Sequence, residues 1–285
     1  YREIQRNKTK SYQYKEAQEK ASNRRYIRAG KLDNNGFLRL LIVSLLRDKN
    51  SPEVIAHYLK KYFSDNPSML VSHETIYQWI YKQKNPFLSG CLFTRRKKRQ
   101  DRGNIYKNRG VYVEKKNIRD RPIEAEGKSE LGHLEGDLIV SAGKNAYVLT
   151  LADRKSMYLW GIPIPSKDSE IVCRAVVESL EQLPPGFIKS ITFDNGTEFN
   201  SYPLIEKALG CAVYFADPYS AWQRAINEHQ NGRIRQYLPK NISFAGLTDD
   251  EYQDILTAIN NRPRKFRNWY SSTSLLEHSL VAFKT

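Results

Sequence analysis

Cysteine, histidine and long apolar runs are all scarce in this chain of 285 residues. The three cysteines, Cys91, Cys173 and Cys211, stand far apart. An odd, isolated set builds neither a disulfide framework nor a Cys-x-x-Cys metal site, and it suits a reducing cytoplasm. No apolar stretch approaches the roughly 18 residues that cross a membrane, because Arg39 interrupts even FLRLLIVSLL. A secretory leader is not visible, and no membrane partner is expected. Acidic residues are also thin in one half. Residues 1–130 hold 30 Lys and Arg against 14 Asp and Glu, whereas residues 131–285 hold 16 against 17. The net charge of +15 therefore lies entirely in the first half. Such asymmetry describes a polyanion-binding half joined to a neutral folded half, and nucleic acid is the common polyanion.

Residues 1–30 are basic and polar, with helix-forming stretches and almost no aliphatic core. Residues 36–84 predict three helices inside a helical unit spanning 31–93. SPEVIAHYLKKYF opens with Ser51 as N-cap, Pro52 at the first helical position and Glu53 in the first turn. VSHETIYQWIYKQ repeats the signal with Ser72 and Glu74. Such a unit has the outline of a helix-turn-helix. Ser72, His73, Glu74 and Gln78 would then meet DNA, with Ile76, Trp79 and Ile80 turned to the core. Residues 94–130 are a linker by composition, carrying Arg95, Arg96, Lys97, Lys98 and Arg99 in one run. A like-charged block stays extended alone and adds sequence-independent affinity beside DNA.

From residue 131 to residue 260 the pattern becomes α/β: three strands, then alternating helix and strand, implying a mixed five-stranded sheet with flanking helices. Three acids stand out in it. Asp137 lies in the first strand, Asp194 ends the fourth before Asn195-Gly196, and Glu228 lies in the helix after the fifth. If strands one and four are neighbours, the three converge. Converging carboxylates repel unless they hold Mg²⁺ or Mn²⁺. Two such ions about 4 Å apart promote phosphodiester displacement. Glu135 would share a strand face with Asp137, as an auxiliary ligand or, the favoured expectation, in a structural salt bridge. Asn231, Arg233 and Arg235 continue the Glu228 helix as candidate DNA contacts. Trp222 is expected in the core, and residues 261–285 form a basic C-terminal segment.

The segments GHLEGDLIV, TFDNGTEF, YFADPYSAWQR, NEHQNGRIRQYLPK and NNRPRK occur in the order found in bacterial Asp-Asp-Glu transposases of the IS-thirty family. The chain resembles that family along essentially its whole length, and YREIQRN resembles the end of a further, N-terminal helix-turn-helix module. The resemblance implies an RNase H-like catalytic fold with Asp137, Asp194 and Glu228 as the metal-binding triad. It further implies cleavage at the element's terminal inverted repeats and joining of the 3′-OH to target DNA. The partners would be double-stranded DNA and other copies of the chain, at least a dimer on DNA, in the nucleoid of a bacterial cytoplasm. Leu134 departs from the family's Trp, Ala225-Ile226 from its usual small pair, and His229 and Gln230 from commoner Asn and Thr. None of these touches the triad.

The five histidines form no His-x-His pair and no His-x-x-Arg pattern, which argues against nucleases and recombinases that work through those groups. No His/Cys zinc module is present. The competing expectation is a DNA-binding repressor or architectural protein with an inert catalytic domain. It would not need all three acids.

Overall fold

A computed structural model describes residues 14–26, 30–93, 115–218 and 220–284. The chain divides into two compact units at residues 96 and 97.

The first unit is helical: α1 (Tyr14–Tyr26), α2 (Lys31–Asn34), α3 (Gly36–Arg47), α4 (Pro52–Tyr62), α5 (His73–Gln83) and α6 (Pro86–Gly90). Leu38, Ile42 and Leu46 recur every four residues along α3 and bury one face. They meet Ile55 and Leu59 of α4 and Ile76, Trp79 and Ile80 of α5. Ser51 and Ser72 cap α4 and α5 through Val54 N and Thr75 N, as their spacing predicts. Residues 63–72 join α4 to α5, a longer connection than the three or four residues of a tight helix-turn-helix.

The second unit is built on one five-stranded sheet, ordered β3-β2-β1-β4-β5. Strands β1 (His133–Val140), β2 (Tyr147–Asp153) and β3 (Leu159–Ile164) form the antiparallel meander. Strands β4 (Ser190–Phe193) and β5 (Ala212–Phe215) add parallel on the far side of β1. One face of the sheet is covered by α8 (Ser169–Leu180) and α9 (Pro203–Leu209), through Val172, Val176 and Ile205. The other is covered by α10 (Ala225–Ile234) and α11 (Asp249–Asn260), through Ile226, Ile234, Tyr252 and Leu256. Two apolar layers on a central sheet give the α/β architecture expected from the element order.

Two boundaries move. The linker was expected to reach residue 130, yet Asn117 bridges Phe215, and α7 (Ile123–Gly127) is already folded. Ile118 and Ala125 are buried, so this stretch has apolar anchors that its charge conceals. Arg95, Arg96, Lys97, Lys98 and Arg99 lie outside the described residues. The C-terminal segment folds as well, because Leu276 of α12 (Ser272–Lys284) joins the core under α8.

Gly136 in β1 sets the spacing between β1 and the end of β4. A Cβ there would lie 2.1 Å from the Phe193 ring and 3.2 Å from Leu151. Overpacking of this kind costs about 1–3 kcal/mol. Gly136→Ala is therefore expected to lower the melting temperature of the folded chain by several degrees, measured by circular dichroism.

Candidate active site

All four residues of β4 are buried, and Asp194 is the first to leave the sheet. Its side chain is 39% exposed. The parallel register pairs Glu135 with Thr192; carried two residues further, it sets Asp137 level with Asp194. The turn anticipated at Asn195-Gly196 is present. Gly196 N donates to Asp194 Oδ1 at 2.9 Å, and Asn195 Nδ2 donates to the Ala216 carbonyl beyond β5.

Arg224 joins the two acids. It ends the 3₁₀ turn Ala221–Arg224, immediately before α10. Its Nη2 donates to Asp194 Oδ2 at 3.1 Å, its Nη1 donates to Gly136 O at 3.2 Å, and Nη1 lies 3.6 Å from Asp137 Oδ1. Burial pushes the Asp137 carboxyl above its usual range, Arg224 opposes this, and Asp194 adds to the rise. Two hard-oxygen carboxylates gathered around one guanidinium form a donor pair that a divalent cation fits.

The start of α10 is pinned to β1. Asn227 N donates to Glu135 Oε2 at 3.1 Å, and Asn227 Nδ2 donates to Gly136 O at 2.9 Å. Asn231 Nδ2 donates to Asp137 Oδ2 at 2.6 Å. Glu135 is fully buried and ion-paired with Arg154, the structural salt bridge expected of it.

Helical spacing places Glu228, Asn231 and Arg235 on one stripe of α10. Asn231 touches Asp137, and Arg235 donates to the Val140 carbonyl of β1 at 2.9 Å. Glu228 sits on that stripe but is exposed, with no hydrogen bond or ion pair among the described residues. The structure thus brings Asp137 and Asp194 together without closing Glu228 onto them. Among the described residues, no three acidic, His or Cys side chains are grouped closely enough to share a cation. The guanidinium held between the acids, with Glu228 turned to solvent, accounts for that open arrangement.

Arg233, expected with Arg235 as a phosphate contact, does not share that stripe. It lies on the opposite flank of α10, with Nε 3.1 Å from His229 Nε2. In the first unit, His73, Glu74 and Gln78 are exposed as expected, and Gln78 donates to Glu74 at 3.2 Å. Ser72 is engaged in capping α5.

Trp222 was expected in the core and is instead 72% exposed. The apolar pattern around it belongs to a 3₁₀ turn, whose shorter period does not carry it inward. It lines a pocket of about 550 Å³ with Arg119, Arg121, Lys128 and Arg154 and with the acids Glu126 and Glu135. Neither this pocket nor Arg224 was evident from the sequence. The signals for Arg224 are that it closes the family-like segment YFADPYSAWQR and stands four residues before Glu228.

Residues 127–221 match the integrase core domain family. The chain is 33% identical to the transposase for insertion sequence element IS1086 of Cupriavidus metallidurans, over 98% of this chain and 85% of that one. It is 34% identical to the transposase InsI for IS30A of Escherichia coli K12, over 98% of this chain and 75% of its relative. The chain belongs to the IS30-family transposases. The transposase for IS4351 of Bacteroides fragilis is 34% identical, over 93% and 81% of the two chains. Among solved structures, the catalytic core domain of BIV integrase aligns with a TM-score of 0.44 at 13% identity, over 54% of this chain and 99% of that one. The IS30-family transposase described here thus carries the integrase-type, RNase H-like core expected from its motifs. No helix among its described residues is long and apolar enough to cross a membrane.

Proposed function

We propose that Asp137, Asp194 and Glu228 are the catalytic acids of this IS30-family transposase and hold two divalent ions, Mg²⁺ or Mn²⁺. The observation that carries the reading is the pairing of Asp137 with Asp194 around the Arg224 guanidinium. The ions would supply Lewis-acid stabilisation at the attacking and leaving oxygens of the phosphodiester. Asp137 is presented by β1, braced by Asn231, and Asp194 by the turn after β4. Holding the ions would require Arg224 to give up its contacts with both acids and the Glu228 side chain to turn in from its stripe of α10.

Hydrolysis at the element's terminal inverted repeats would free a 3′-OH, which then attacks target DNA. No covalent protein–DNA intermediate is needed. The helical unit, through the exposed start of α5, would read DNA, and the run from Arg95 to Arg99 would add phosphate contacts. Joining two element ends calls for at least a dimer on DNA, in the nucleoid of a bacterial cytoplasm.

The test is nicking of an inverted-repeat oligonucleotide with Mg²⁺ or Mn²⁺. Binding without any nicking would favour the repressor reading. Cleavage of RNA–DNA hybrids in place of the repeat would favour a ribonuclease.

The exposed Trp222 indole beside this pocket of mixed charge supports a route for a single strand past α10, because bases stack on exposed indoles. Losing one stacked base costs about 1–3 kcal/mol. Trp222→Ala should therefore weaken binding of single-stranded-end substrates about tenfold in fluorescence anisotropy, while fully paired DNA is little affected.

A further inference from the structure

On the flank of α10 away from Glu228, four arginines collect. Arg233 comes from α10, Arg262 and Arg264 follow α11, and Arg267 ends the 3₁₀ turn Lys265–Arg267. Arg262 and Arg264 are buried; Arg264 is 3% exposed. Arg262 Nη2 donates to the Tyr237 hydroxyl at 2.9 Å, and Arg264 Nε donates to Ser272 Oγ at 3.0 Å. The other two nitrogens of Arg264, Nη1 and Nη2, are buried and have no partner. These are the two that would form a fork on an anion.

The electrostatics point the same way. Burial, with Arg233, Arg262 and Arg267 adding to it, pulls Arg264 down to about 9. Burial and Arg262 bring Arg233 down to about 10. Asp153 favours Arg267, but Asp153 already accepts from the N–H groups of Gly132, Lys155 and Ser156. Folding has thus gathered guanidinium groups and left the most buried of them without a counter-charge. Planar, weakly hydrated forks of this kind match phosphate oxygens.

We propose that Arg233, Arg262 and Arg264 form a binding site for a phosphate group of the DNA backbone, across α10 from the acidic pair. The phosphate chemistry stands on the cluster alone. Its assignment to DNA rests on the transposase reading above.

Thermal denaturation of the full 285-residue chain in EDTA, with inorganic phosphate replacing chloride at equal ionic strength, tests the site. The melting temperature should rise with phosphate and saturate. Arg264→Met should lose that rise while keeping its melting temperature in chloride, and Asp194→Asn should retain the rise. On DNA, Arg264→Met should reduce the slope of log affinity against log salt by about one. If Arg264→Met does not fold, Arg233→Gln is read in the same two assays.

A wild-type chain indifferent to phosphate, or an Arg264→Met chain that still responds, overturns the site. A phosphate response with an unchanged DNA slope overturns the backbone assignment and makes free phosphate the ligand. A phosphate response that survives in an Asp194→Asn chain devoid of cleavage separates this site from the catalytic proposal.

Discussion

Asp194→Asn should reduce metal-dependent strand cleavage by at least about a thousandfold while leaving DNA binding intact. The substitution is nearly isosteric. Its amide oxygen can still accept from Gly196 N, so the turn after β4 keeps its shape. What disappears is one negative charge from a pair already strained by proximity, since Asp194 helps raise the Asp137 carboxyl. A divalent ion then meets one carboxylate where two stood. Metal-ion stabilisation of a phosphoryl transition state is worth several kcal/mol, and each 1.4 kcal/mol is a factor of ten in rate. Binding should be unchanged or slightly tighter, because a charge that repels phosphate has gone. Gel assays with Mn²⁺, beside anisotropy in EDTA, read the two quantities separately. Cleavage within about tenfold of wild type would remove Asp194 from the chemistry.

The largest expected effect on stability belongs to the buried Glu135–Arg154 pair. Glu135 accepts from Arg154 through one oxygen and from Asn227 N through the other. Glu135→Ala removes the close counter-charge of Arg154 and leaves it only the largely exposed Glu126 carboxylate at 3.8 Å, with its Nε still held by the Ala125 carbonyl. Breaking a buried pair from one side costs about 3–5 kcal/mol, a fall in melting temperature on the order of 10 °C for a unit of this size. The double variant Glu135→Ala/Arg154→Met should recover much of the loss, since no unpaired charge remains. Differential scanning calorimetry of the two single variants and the double variant completes the cycle. Additive losses would mean that the pair is not coupled. Glu135→Ala should also depress cleavage, because the helix bearing Glu228 loses its backbone anchor.

Much of this architecture was legible because local signals and global packing agree. Ser51 and Ser72 announced their helices, and both caps are formed. Three strands preceding an alternation of helix and strand indicated a mixed sheet, and the condition on which the acids converge is met, since β1 lies beside β4. Asp194 was conspicuous because it is a carboxylate at the end of a strand whose Ile191 and Phe193 mark it as buried.

Arg224 was not legible. A lone arginine in a mixed segment resembles any solvated one until the fold brings it between two acids 30 and 87 residues away. Trp222 was misjudged for a related reason: burial follows helical period, and the turn carrying it has a different period. The boundary of the linker failed on composition. Charge dominated residues 115–130, while the few apolar anchors, Ile118 and Ala125, decided where folding begins.

Gly136 carries a consequence that reaches past its missing side chain. Its carbonyl is gripped by both Arg224 and Asn227, so the strand holding Asp137 and the helix holding Glu228 are riveted at one peptide. Those two acids share a chassis. The turn bearing Asp194 is fastened to the chain beyond β5 and, through Arg224, to this same peptide. Letting go of Arg224 therefore loosens the Asp194 turn from that chassis, while Asn227 keeps the other two acids on it.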